Sequence, residues 1–315
     1  MHISPLVLKS LLALSLITLS ACATVPYKYG EDIESVNTLM LKENEKQIVR
    51  GRPVGFVDGL GHYFFSIPSK LILWSWKVEN HDISTDTESA ISKYLVDNDL
   101  NNVKIRINQY SPGSEWQRLF KNRDMPGFFR FTVGFVSTTL YTILPGRVFG
   151  GDHYNPYTNS ISLYSDSPGI ALHEAAHAKD FVKKPRGFKG WYALMRILPF
   201  FSLYQEAVAT GDAIGYTREE SLPDREKEAY KILYPAYLTY VSGEGLRFVS
   251  IDLWISYIAQ FTLAIPGHIV GRIKAAHVED QSSKISYLYN QPATPDDYLG
   301  NWYMGTWELH YDSVF

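Results

Sequence analysis

Apolar and polar residues alternate in two short stretches of this chain. Val103, Ile105 and Ile107 interleave with Lys104, Arg106 and Asn108, and Ile161 and Leu163 share one face of Ser160 to Tyr164. A period of two is that of a half-buried strand. Elsewhere the spacing is helical. Thr85 with Glu88 three residues on is a capping-box pattern, and Ile91, Tyr94 and Leu95 continue it. Asp166-Ser167-Pro168 offers a cap with proline at the first helical position. That helix is expected to stop at Lys183-Lys184-Pro185, where cations meet its negative pole. Helix, strand, apolar segment, strand, helix is an α+β order.

Three apolar stretches are not assigned by period. Val54 to Trp76 is aromatic and interrupted by Gly55, Gly59, Gly61 and Pro68, which suits a core hairpin or an amphipathic surface piece. Phe131 to Leu144 is free of charge over fourteen residues and closed by Pro145-Gly146, shorter than a usual membrane span. Phe248 to Ile265 carries one charge, Asp252, and runs into Pro266-Gly267. It reads as a core helix of a mainly helical C-terminal part, with an interfacial or spanning helix as the competing reading. Sequence leaves open whether 131–144 or 248–265 contacts a membrane. His268 reads as a turn histidine, and Trp302, Tyr303, Trp307 and Tyr311 suit a docking segment or an aromatic belt.

At 315 residues the chain is long enough for one large domain or two ordinary ones. A net charge of −3 without a long basic run argues against a nucleic-acid partner. The single cysteine excludes an internal disulfide framework and a cysteine-based zinc site.

That cysteine has a context of its own. After Lys9, the apolar run Leu11 to Leu19 has the length of a signal-peptide core. It leads into Leu19-Ser20-Ala21-Cys22, which resembles the lipobox of bacterial lipoproteins. The resemblance implies a signal peptide over 1–21, cleavage before Cys22, diacylglycerol on its sulfur and acylation of its nitrogen. Ala23 rather than Asp after the cysteine implies, by the same resemblance, the outer membrane, with the protein facing the periplasm. Residues 22–80 would then be a lipid-anchored N-terminal segment. Acyl chains anchor stably because each buried CH₂ contributes about 0.8 kcal/mol.

The helix opened by Pro168 contains His173-Glu174-Ala175-Ala176-His177, an H-E-x-x-H match. Residues four apart share a helical face, so both imidazoles can reach one metal ion. Glu174, one residue round, can hold the metal-bound water without ligating the metal. At this point the chain resembles the gluzincin-type zinc metallopeptidases, over about residues 154–216. In that class the metal helix follows an edge strand and a glutamate on a later helix completes the zinc site. The matching residue is Glu206, 29 residues past His177, in a helix whose Ala207, Ala209 and Ala213 would allow close approach to Ala175 and Ala176. The resemblance implies a zincin-like catalytic domain over 81–216 and a helical lobe over 217–315.

Many gluzincins place an orienting Asp four residues after the ligand glutamate, and here that position is Thr210. Asp180, at i+7 from His173, and Asp212 are the alternatives. His153, Tyr154, Tyr204 and Tyr216 are candidate oxyanion donors. The expected activity is envelope-anchored, zinc-dependent hydrolysis of peptide or protein substrates through a zinc-bound water. Glu174 is the catalytic base, His173, His177 and Glu206 hold Zn²⁺, and the strand Ser160 to Tyr164 can pair with an extended substrate. The rival is a non-catalytic envelope lipoprotein whose aromatic surface binds lipid or a protein partner, with zinc absent or structural. Hydrolysis of a non-peptide amide is a third reading.

The lipobox reading has a direct test. Mass spectrometry of the mature N-terminus is expected to find acylated Cys22, and Cys22→Ser is expected to stall processing or release soluble protein. An unmodified N-terminus at another residue refutes it.

Overall fold

The computed structural model describes residues 41, 45–198, 200–246 and 253–289. The expected signal peptide, Cys22, residues 248–252 and the C-terminal aromatic residues lie outside the described residues.

The chain enters through β1 (Ile48–Arg50) and three short helices, α1 (Gly55–Leu60), the π-helical α2 (Gly61–Phe65) and α3 (Ile67–Leu73). Then come α4 (Thr85–Asp97), β2 (Lys104–Ile107) and α5 (Pro112–Lys121). A short α6 (Gly127–Phe129) passes through a π-helical turn, Arg130–Gly134, into α7 (Phe135–Ile143). After α8 (Gly146–Phe149) lie β3 (His153–Asn155) and β4 (Ser160–Leu163). The rest is helical: α9 (Pro168–Val182), α10 (Arg186–Met195), α11 (Phe201–Glu219), α12 (Pro223–Leu246) and α13 (Leu253–Tyr289). The class is α+β, as the order of patterns predicts.

Val54 to Trp76 forms the helices α1 to α3 rather than a hairpin: Gly55, Gly61 and Pro68 sit at helix starts, and Gly59 is carried inside α1. The cap of α4 is Ser84, whose hydroxyl accepts from Thr87 N, and not Thr85. Asp166 reinforces it, accepting from Ser84 N at 2.9 Å and from Thr87 Oγ1 at 2.7 Å. The expected cap of α9 is present: Ser167 Oγ accepts from Ile170 N and Pro168 opens the helix.

The sheet has the order β1-β2-β4-β3, with β3 the antiparallel member. Two expectations change here. Ser160–Leu163 lies between β2 and β3, so the edge on this side of the sheet belongs to His153–Asn155, and β1 forms the other edge. β2 is buried on both faces, because its cations have partners inside. Arg106 Nε donates to Glu115 Oε1 at 2.7 Å and Lys104 pairs with Glu45 at 3.0 Å. A charged residue is excluded from the interior only while it lacks a partner.

The expected boundary at 216/217 falls within α11. One hydrophobic cluster joins Ile105, Ile161 and Ala175 to Tyr234 and Leu238 of α12 and Ala275 of α13. Nor does Pro266 end its helix: α13 continues through it. The half of this helix read as apolar is two-sided, burying Leu263 and Ala264 while Ile258, Phe261 and Ile265 face outward. His268 is a buried helix residue, its Nε2 2.8 Å from Ile72 O and its ring stacked on Trp74 at 3.9 Å. Among the described residues no helix is long and apolar enough to cross a membrane.

The contact between α12 and α13 depends on absent side chains. A Cβ at Gly271 would lie 2.3 Å from Tyr230 O, and one at Gly267 2.6 Å from Pro235 Cα. Backbone atoms on a helix cannot turn aside. Gly271→Ala is therefore expected to lower stability by about 1–3 kcal/mol, as overpacking does, in urea denaturation of the full chain. An unchanged midpoint refutes the close crossing.

Candidate metal centre

Helix α9 presents His173 and His177 on one face, their ring centroids 4.6 Å apart. Against them lies α11. Ala175, Ala176, Ala209 and Ala213 are buried in the shared core, leaving little side-chain bulk between the two helices. This brings Glu206, 1% exposed, up to both imidazoles. Glu206 Oε2 is 3.0 Å from His173 Nε2, and Oε1 is 3.5 Å from His177 Nε2. One ligand atom from each residue lies within 4.8 Å of the others. The buried group His173, His177 and Glu206 can hold a metal ion.

The electrostatics follow from burial. Loss of water pushes the Glu206 pKa up, but the His177 charge, hydrogen bonds from both histidines and the Arg196 charge hold it well below the usual carboxylate range. Burial alone would lower the His173 pKa, and the hydrogen bond and charge of Glu206 raise it instead. Arg196, in the turn after α10, donates to Glu206 Oε1. Sequence patterns give no sign of this contact, since an arginine in a turn has no period to mark it.

Glu174 stands next to this group without joining it. Its Oε2 accepts from Tyr154 N at 2.7 Å, so an N–H of the edge strand β3 holds the carboxylate. Two cavities meet there. One, of about 230 Å³, reaches His173, Glu206, Thr210 and Glu79; the other, of about 250 Å³, reaches His177, Arg196 and β3. Asp152, Glu174 and Tyr240 line both. Tyr240, on α12, has its phenol pKa raised by the Glu206 charge and then by burial. It is a proton-bearing donor beside the site, and it lies too far along the chain for any local motif to reveal.

The expected orienting acids are elsewhere. Asp180 accepts from Tyr192 OH and pairs with Lys184 at 2.7 Å. Three residues past His177 it has climbed about 4.5 Å along the helix axis, onto the side of α10. Asp212 is engaged by Lys179 at 2.7 Å and by Tyr94 OH. The contact to His173 Nδ1 comes from Thr210 Oγ1 at 3.4 Å, at the position where the gluzincin resemblance implies an acid. Of the four oxyanion candidates, His153 and Tyr154 line the second cavity, and the Tyr154 hydroxyl is turned to Asn159 Oδ1 at 3.0 Å. The Tyr216 hydroxyl donates to Asp97 at 2.7 Å, and Tyr204 packs against Phe201 with its ring half exposed.

No family model, curated protein or solved structure matches this chain.

The first cavity holds a titration of its own. Burial, and then the charge of Asp152, pushes the Glu79 carboxyl up from 4.5 to about 7. A raised pKa means the folded chain keeps a proton that the unfolded chain has lost. The stabilising effect is complete below 4.5 and is lost as pH rises through about 7. Glu79→Gln is expected to flatten the stability profile over that window and to exceed the parent by about 1–3 kcal/mol at about pH 8. Urea midpoints across pH check this, and parallel profiles for the two proteins refute it.

Proposed function

We propose that this protein is a zinc-dependent metallopeptidase of gluzincin-like plan, held at the cell envelope by a lipidated Cys22. The observation that carries the reading is the convergence of His173 and His177 of the H-E-x-x-H helix with Glu206 of α11, within 4.8 Å, beside a Glu174 outside the set. Two imidazoles and a carboxylate are a donor set suited to zinc with one position open. Ligands at about 2.0–2.1 Å in a tetrahedron stand roughly 3.3 Å from one another. The 3.0 and 3.5 Å separations of Glu206 from the two imidazoles fit that spacing. The bound ion would supply Lewis acidity toward a carbonyl and make water a better nucleophile near neutral pH.

The remaining steps belong to the chain. Glu174, fixed through Oε2 by the Tyr154 N–H, takes a proton from the attacking water as its oxygen adds to the peptide carbonyl carbon. When the C–N bond breaks, the same carboxyl returns the proton to the leaving nitrogen. The Tyr240 phenol, held in its neutral form by Glu206, donates a hydrogen bond toward the oxygen that gains charge. An extended substrate lies along the outer side of β3, where the Tyr154 N–H is already given to Glu174, with its two ends in the cavities that meet at Glu174. Strand addition thus moves from Ser160–Leu163 to His153–Asn155.

The test separates peptidase from binding module. Glu174→Gln is expected to bind zinc stoichiometrically and melt like the parent, while kcat/KM on a cleaved peptide falls by about 10²–10⁴. His173→Ala and His177→Ala are expected to lose zinc, and Glu206→Ala to bind it far more weakly. Unchanged hydrolysis by zinc-loaded Glu174→Gln refutes the mechanism. A parent protein that takes up no metal returns the reading to the non-catalytic lipoprotein.

A further inference from the structure

Helix α7 is inside out. It buries Thr138 completely and Tyr141 nearly so, and turns Phe135, Val136, Leu140 and Ile143 outward at 48–66% exposure. Its polar face is satisfied within the protein. Trp116 Nε1 donates to Thr142 Oγ1 at 3.0 Å, and Ser111 N donates to Tyr141 OH at 3.1 Å. The first helices repeat the inversion: Ser66 and Lys70 are buried, while Tyr63 and Phe64 are 72% and 68% exposed. Lys70 Nζ is spent on His62 O at 3.1 Å and Glu79 O at 3.3 Å.

These two segments adjoin. The Phe65 and Phe149 rings touch at 4.8 Å, and Phe149 shares a cavity of about 240 Å³ with Leu140 and Leu144. At the other end of α7, Phe128 and Phe131 are exposed beside a group of three guanidiniums. Arg123 and Arg186 lie close enough to Arg130 for their charges to oppose its own. Both are exposed and make no ion pair among the described residues, while Asp124 is taken by Lys189.

We propose that this inverted surface is a membrane-docking face, with α7 and α2 set into the acyl region of an anionic bilayer and Arg123 and Arg186 on lipid phosphates. Outward aromatic and aliphatic side chains flanked by unpaired arginines are complementary to hydrocarbon below charged headgroups. A second protein would have to match both the apolar relief and the cations, whereas an anionic bilayer offers both without a specific fit. The face also leads to the site. Ser137, His153 and Asn155 line both the cavity under Phe149 and the one that reaches His177. Substrates are therefore polypeptides lying at the bilayer surface. That consequence rests on the peptidase reading, whereas the docking does not.

Depth labelling tests the docking without zinc or activity. An environment-sensitive fluorophore is placed on Leu140→Cys, and for comparison on Glu219→Cys, in full-length protein reconstituted into phosphatidylethanolamine–phosphatidylglycerol vesicles. Parent protein labelled in parallel gives any signal from Cys22. The Leu140 label is expected to shift to shorter wavelength, to be quenched by nitroxide lipids and to be shielded from aqueous iodide; the Glu219 label is expected to stay in water. A Leu140 label that stays in water, or one that shifts without lipid quenching because protein covers it, overturns the proposal. Vesicle partition is then compared in Cys22→Ser chains, which share one N-terminus. Arg123→Gln with Arg186→Gln is expected to weaken binding to anionic vesicles by roughly fivefold per cation and to leave binding to phosphatidylcholine unchanged. Equal binding by both chains to both vesicles overturns the headgroup contact.

Discussion

A carboxylate without water must be neutralised by its neighbours, and Glu206 sets that demand where α9 and α11 meet. An ion left bare in the interior costs several kcal/mol, so the surroundings of Glu206 are fixed by its charge. Both imidazoles, Arg196 and the Tyr240 phenol face it from three other parts of the chain. The alanines between the helices follow from the same need, since larger side chains would hold the carboxylate out of reach of His173 and His177. Even the entry of α11 is arranged from a distance: Glu244 of α12 accepts from Phe200 N at 3.2 Å and Ser202 Oγ at 2.7 Å. Packing, charge and the candidate chemistry are one constraint here.

Local patterns in the sequence reveal whatever is decided within a turn or two. Ser167 and Pro168 announce α9, and the i, i+4 histidines need only the helix to be correct. Glu206 is reached by resemblance, because nothing local distinguishes one helical glutamate from another. What the patterns miss is decided across the fold. The alternation on β2 looks half-polar, yet Glu115 and Glu45 make both faces interior. Asp180 satisfies the helical arithmetic and is claimed by Tyr192 and Lys184 instead. Thr210 holds the orienting position with a hydroxyl where the resemblance implies an acid, and Arg196 and Tyr240 come from segments with no motif.

The inverted helices illustrate the same limit. The apolar content of 131–144 and of 54–76 is plain in the sequence, but period does not say which face turns inward. Ordinarily burial of the apolar face decides, at about 25 cal/mol per Å². Here Thr138, Tyr141, Ser66 and Lys70 find hydrogen-bond partners inside, which removes the usual penalty for the opposite orientation. The apolar faces are then left outward, and their contribution is deferred to whatever covers them.

That deferral has a geometric consequence at the site. Each inverted segment supplies part of a wall beside Glu174: Ser69 and Ile72 of α3 line the cavity that reaches Glu206, and Ser137 of α7 lines the one that reaches His177. Beside them stands β3, three residues long, whose Tyr154 N–H fixes Glu174 and whose outer side meets no other strand among the described residues. A free strand edge on a soluble surface invites indiscriminate pairing. On the proposed docking, the same edge is screened from the bulk and open to chains that lie along the membrane. On that proposal, the inversion that leaves apolar side chains exposed selects, by position, what can reach the carboxylate.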